Sequence, residues 1–151
     1  MPHEFIQHQK EDHNKQLQLA DRLCKASSSQ EREKLRKEFW QELYPHVIGE
    51  EKSMYKVLTK AKDKKVREHA LESLEEHKVA KYALAQFMKC SLEGDVFQAK
   101  ASVLKELNKH HTQEEEEQSL KDLEKMCDAK QLDEIFAQYE KAEKEAKKSK
   151  K

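Results

Sequence analysis

Glycine and proline are almost missing from this chain, with two of each in 151 residues. That scarcity argues against turn-dense β-sandwiches and barrels. With abundant Lys, Glu, Leu, Ala and Gln, it is the composition of a helical protein. No apolar run reaches the 18 residues of a membrane span, and the opening Met1-Pro2-His3-Glu4-Phe5 lacks the apolar stretch of a secretion signal. Neither sign of charge predominates: 30 Lys and Arg balance 30 Asp and Glu. No global field therefore draws the protein to nucleic acid or an anionic membrane. Cysteine is scarce and odd in number, and Cys24, Cys90 and Cys127 show no CxxC spacing. This argues against a disulfide framework or a zinc knuckle and leaves buried reduced thiols as the expectation. The chain thus reads as a soluble, cytoplasmic protein with no nucleic-acid partner and no membrane partner.

What the chain does have is charge, at 40% of residues. Such a fraction can signal disorder, but apolar residues recur here at helical steps of three and four. Five helical segments follow. The first spans about Glu4 to Ala26, with Ile6, His13, Leu17, Ala20 and Cys24 on one stripe, and Ser28 or Ser29 is placed to cap the next. The second runs from about Gln30 to Ala61, with Leu35, Phe39, Leu43, His46, Glu50, Met54 and Leu58 on one face. A third covers Val66 to Ser91 and a fourth runs from the Glu93-Gly94-Asp95 loop to about Cys127. A shorter fifth segment, around Leu132 to Tyr139, is expected to pack across one end. These elements predict an all-α, up-and-down four-helix bundle over residues 1–140, followed by a charged flexible tail over 141–151.

Four histidines, His13, His46, His77 and His111, lie 33, 31 and 34 residues apart. That interval is about one helix and one turn, so each helix brings one histidine to the same depth. Glu50 and Glu115 stand one turn beyond His46 and His111 on the same faces. Each of these histidines falls on the apolar stripe of its helix, where an unpaired imidazole is costly to bury. Four imidazoles and two carboxylates converging in a bundle form a ligand set for two metal ions. His3, His8 and His69 read as bystanders, near a fraying end or off the stripe.

The halves of the chain resemble each other at a shift of 64 residues, which lays His13 on His77. In the fourth helix this shift selects His110 with Glu114. Leu120 and Leu123 match Tyr55 and Leu58 only at a shift of 65, which selects His111 with Glu115. A one-residue π-bulge would also allow His110 with Glu115. We take His111 and Glu115 as the candidate pair.

Mixed imidazole and carboxylate ligands suit Fe, Mn or Zn, and a carboxylate-bridged pair with open positions suits O2 or peroxide chemistry. Ferritin-like sites use Glu-x-x-His, a spacing this sequence lacks. Pro45 sits just before His46 and is expected to kink the second helix, which either sets the angle of His46 and Glu50 or is a surface bend. Trp40, Tyr44, Tyr55 and Tyr82 read as core or interface residues rather than redox relays.

The motifs Glu11-Asp12-His13, His46-Val-Ile-Gly-Glu50-Glu51, Glu75-Glu76-His77 and His111-Thr-Gln-Glu115-Glu116 together resemble the hemerythrin-like (HHE cation-binding) family. The closing Leu132-Asp-Glu-Ile-Phe-Ala-Gln-Tyr-Glu-Lys-Ala resembles that family's tail helix. The resemblance implies an oxo- or hydroxo-bridged di-iron centre held by His13, His46, Glu50, His77, His111 and Glu115, both glutamates bridging. It implies a small diatomic ligand or peroxide as partner. Oxygen-carrying members have a fifth histidine where this chain has Ser73. The four-His, two-Glu set is closer to the iron-centre repair proteins and the F-box iron sensor of the family. Binding, sensing or processing of O2, peroxide or NO is the leading expectation. Iron storage or donation, or a structural bundle with vestigial ligands, are the alternatives.

Overall fold

The computed structural model describes residues 2–149, which form helices and no strand. Helix α1 spans Glu4–Lys25, α2 Ser29–Glu51, α3 Met54–Leu58, α4 Lys64–Lys89 and α5 Asp95–Glu114. A π-helical turn, Glu115–Ser119, continues α5 into α6, Leu120–Met126, and α7 covers Ala129–Lys148.

Local chemistry sets most of these boundaries. Ser28 accepts from Glu31 N–H and starts α2, while Asp63 accepts from Lys65 N–H and starts α4. Asp128 and Gln131 form a reciprocal capping box at the start of α7. Gly94, at φ 88°, makes the turn before α5 with a backbone that other residues rarely adopt. His3, expected to fray, instead caps α1 through Nδ1 and pairs with Asp133 on α7 through Nε2 at 2.7 Å.

The apolar core is in two pieces. One contains Leu23, Leu35, Phe39, Leu84, Phe87, Phe97 and Leu104, toward the α1–α2 and α4–α5 turns. The other contains Phe5, Met54, Leu58, Leu120, Leu123, Ile135 and Tyr139 at the opposite end. Between them lies a layer of buried polar side chains that includes His13, His46, Glu50, His77, His111 and Glu115. Burying whole Phe and Leu side chains at about 1.5–3 kcal/mol each supports the bundle on both sides of this layer.

Three further expectations change. The second helix does not run unbroken to Ala61, because its α-helical hydrogen bonding stops at Glu51 and resumes at Met54. Ser53 causes this locally: its hydroxyl bonds back to Gly49 O at 2.6 Å and its N–H turns to Glu50 O. The closing segment is a 20-residue helix that continues through the stretch read as a solvated tail from Lys141. Ala142 and Ala146 are buried, so small residues at helical spacing keep α7 docked where charge alone suggested fraying. Residues 150–151 of that stretch lie outside the described residues. The cysteines, read as buried, are half-buried free thiols.

Candidate metal centre

Each of the four long bundle helices delivers one histidine to the polar layer, and all four are buried. Glu50 and Glu115, at 1% and 0% exposure, reach the same point from α2 and from the start of the π-helical turn. His13, His46, Glu50 and Glu115 bring donor atoms within 4.8 Å of one another, and so do Glu50, His77, His111 and Glu115. The two groups share both carboxylates.

The sharing is oriented. Glu50 Oε2 lies 3.0 Å from His46 Nε2, while its Oε1 lies 3.3 Å from His77 Nε2. Glu115 Oε1 lies 2.8 Å from His13 Nε2, and its Oε2 lies 3.3 Å from His111 Nε2. Each carboxylate therefore turns one oxygen toward each pair of histidines. Tyr55 donates its hydroxyl to Glu115 Oε2 and packs edge-on to His77, which steadies this carboxylate from beneath.

Every imidazole is held from behind by an acid on its Nδ1 side. His46 Nδ1 meets Asp12 at 3.0 Å, His77 Nδ1 meets Glu51 at 3.0 Å, His111 Nδ1 meets Glu76 at 2.9 Å and His13 Nδ1 meets Glu116 at 2.7 Å. The pattern is a closed ring. An acid on α1 holds the histidine of α2, α2 holds that of α4, α4 that of α5, and the turn after α5 that of α1. An acceptor at Nδ1 fixes the tautomer and leaves Nε2, with its lone pair, facing the centre, as ligands to a metal require.

Tyr139 adds a further contact. Its hydroxyl lies 2.8 Å from His46 Nδ1 and donates to the carboxylate of Asp12 at 2.9 Å. Helix α7 comes this close because position 49 is glycine: a Cβ there would lie 2.7 Å from the Tyr139 ring and 3.2 Å from its carbonyl oxygen. Pro45 is buried within α2, so it is not a surface bend.

Without a cation the charges are in tension. Burial pushes the His46 imidazole down, but the charge of Glu50 and the bonds to Asp12 and Glu50 outweigh it and lift the group to about 9. Burial likewise opposes His111, and Glu115 and Glu76 lift it to about 10. His13 and His77 are also raised despite burial, through Glu115 and Glu116 for the first and Glu50 and Glu51 for the second. Burial would raise Glu50, yet His46, Glu115 and His13 hold it well below the usual carboxylate range. Burial keeps Tyr139 a neutral phenol, as do the charges of Asp12 and Glu143.

Protons alone do not satisfy the centre. His13 Nε2, His46 Nε2, both oxygens of Glu50 and Glu115 Oε1 are buried with no hydrogen-bond partner. Some lie within 3 Å of an opposite group yet miss hydrogen-bonding geometry, which suits a shared point between them. His77 Nε2 and His111 Nε2 face each other at 2.9 Å while both Nδ1 atoms face carboxylates. The two Nε2 atoms can share one proton there, or each can turn its lone pair to a cation. Orphaned atoms on imidazoles and carboxylates, all aimed inward, fit metal ions.

The His111 and Glu115 choice corresponds to the pair brought inward, whereas the side chain of His110 is 66% exposed and sits by Glu114 and Glu76 at the surface. The π-helical turn begins at Glu115, where Leu120 N–H bonds to Glu115 O five residues back, and so lies beyond His111. His111 and Glu115 match His46 and Glu50 at the shift of 65 before that turn begins, so the turn is not the source of the change from 64 to 65. His69 is exposed, as expected of a bystander. His8 is not idle, since its Nε2 lies 3.3 Å from Asp12 behind His46.

Tyr139 and the four outer acids were not singled out by helical periodicity. A signal for the acids was present: each is adjacent in sequence to an inward residue, as Asp12-His13, Glu50-Glu51, Glu76-His77 and Glu115-Glu116. Gln9 and Gln16, fully buried on α1 beside His13, were also not foreseen.

A family model described as the hemerythrin HHE cation binding domain matches residues 4–123, which include all six inward residues and stop short of α7. No curated protein and no solved structure matches the chain.

Proposed function

The chain belongs to the hemerythrin HHE cation-binding family, and from that premise we propose that it is a non-haem di-iron protein that binds, senses or processes O2, peroxide or NO. The observation that carries this reading is the orientation of Glu50 and Glu115, each with one oxygen toward each histidine pair. His13 and His46 would hold one ion and His77 and His111 the other, with Glu50 and Glu115 each able to contribute to both.

Iron supplies redox change and open positions for a small ligand, since two imidazoles and two carboxylate oxygens leave an ion short of six ligands. The protein's part is to hold the ligands. The ring of acids fixes each Nδ1, Tyr55 steadies Glu115, and the flanking apolar clusters keep bulk water out of the centre. Tyr139 donates to Asp12 and thereby supports the acid that orients His46.

Two alternatives make different demands. Buried carboxylates and imidazoles locked from behind favour retention of metal over donation, and inward-facing atoms without partners disfavour a purely structural bundle. The test is to load the protein with iron and expose it to O2, hydrogen peroxide and NO. The account expects the near-ultraviolet absorption of an oxo-bridged ferric pair, changed by at least one of these molecules. Iron lost within seconds to a chelator would favour the donor reading.

A further inference from the structure

The two halves of the centre are not equally enclosed. On the His13 and His46 side, Tyr139 is fully buried, lies on Gly49 and bonds to His46 Nδ1, with α7 running over it. On the His77 and His111 side a groove of about 370 Å³ opens between α4 and α5. His77 and His111 belong to its lining, and His111, at 9% exposure, is the most accessible of the six inward residues. Its apolar walls are Leu43, Val47, Val79, Ala80 and Leu107.

We infer that small uncharged molecules reach the metal pair through the α4–α5 groove and bind at the ion held by His77 and His111. This rests on the metal-pair reading above and adds to it the side of entry and the class of ligand. The walls decide the class. Moving an anion from water past apolar side chains costs desolvation that the groove does not repay, because its lining contains no lysine or arginine. Glu72, Glu75 and Glu76 are in the lining and repel negative charge further, although Lys78 partly screens Glu75 at 2.8 Å. A neutral diatomic such as NO meets neither obstacle. On the His13 and His46 side, α7 closes over the centre through Tyr139.

The groove can be filled without touching an inward residue. Ala80 and Leu107 are half-buried in its walls, so Ala80→Phe and Leu107→Phe are two independent ways to narrow it. Leu19→Trp, in a surface groove between α1 and α2, is the control. With iron-loaded protein in a stopped-flow instrument, NO should bind at least about tenfold more slowly to both groove variants than to the unaltered protein. Iron content and the rate in the control should be unchanged. Azide should bind more slowly than NO, and its rate should rise with added salt as the acidic rim is screened.

A second readout needs no metal. In metal-free protein, diethyl pyrocarbonate followed by peptide mass analysis should modify His111 before His13, His46 or His77, and Ala80→Phe should protect it. Unchanged NO rates in both groove variants that retain their iron would overturn the inference, as would His13 or His46 reacting first. If the unaltered protein holds no metal pair, the proposed function fails on its own, and the order of histidine modification still decides the groove.

Discussion

Removing the support behind His46 should loosen one ion of the pair and leave the other in place. Two groups hold His46 Nδ1: the Asp12 carboxylate at 3.0 Å and the Tyr139 hydroxyl at 2.8 Å. Tyr139→Phe deletes a hydroxyl and keeps the ring on Gly49, so packing is conserved. Asp12 still orients His46 but has lost the donor that steadied it. Groups in this outer position typically change metal affinity by about 10–100-fold. The remaining acceptor places Tyr139→Phe near the lower end, about tenfold or 1.4 kcal/mol. Asp12→Ala removes the charged acceptor and should approach the upper end, about 100-fold. The double variant should exceed either alone, because each single variant keeps one acceptor for Nδ1. The assay is competition for metal against a chelator of known affinity, read as two successive binding steps. Only the weaker step should move, and the His77 and His111 ion should be retained. Equal weakening of both steps, or no change in Asp12→Ala, would show that the support on Nδ1 does not set the affinity at His46.

Other predictions test other parts of the site. His111→Ala should reduce bound metal below two ions per chain by elemental analysis, and His110→Ala should not, because the His110 side chain lies at the surface. Gly49→Val should push α7 away from α2, since even a Cβ would meet the Tyr139 ring at 2.7 Å; clashes of this kind cost about 1–3 kcal/mol, measurable by denaturant titration. In metal-free protein, His46 and His111 are raised from 6.5 to about 9 and about 10. Their contribution to stability is therefore full below pH 6.5 and is lost as pH rises through those values. Glu50, held below 4.5, contributes above that pH and loses its contribution in acid. Melting temperatures of the metal-free protein should fall on the alkaline side of pH 6.5, and a flat profile from pH 6.5 to 10 would contradict this. Loading metal at pH 7 should also release protons from His46 and His111, visible with a pH indicator in weak buffer.

Much of the bundle was legible because its signals are local and periodic. The face Leu35-Phe39-Leu43-His46-Glu50-Met54-Leu58 repeats at helical steps, and every one of those residues is buried. The meeting of His13, His46, His77 and His111 could be read from near-even spacing, since equal helices joined by short turns bring equal intervals to equal depth. Two boundaries could not. The interruption after Glu51 depends on one serine hydroxyl turning back to Gly49 O, and the π turn, considered between His110 and Glu115, begins only at Glu115. Both follow a carboxylate of the centre. Tyr139 was hidden for a different reason: its role arises from α7 crossing α2 at Gly49, a long-range contact that no window of sequence contains. The outer acids were half-legible as doublets beside the inward residues. Which histidine each acid serves is a matter of how neighbouring helices face each other.

The central claim is that Glu50 and Glu115 hold two ions jointly. The most direct test is metal content per chain after iron loading and desalting, for the unaltered protein and for Glu50→Ala and Glu115→Ala. The account predicts two ions per chain in the first and a drop well below two in each variant, because every ion shares both carboxylates. One ion per chain in the unaltered protein, or two retained after loss of either glutamate, would contradict it.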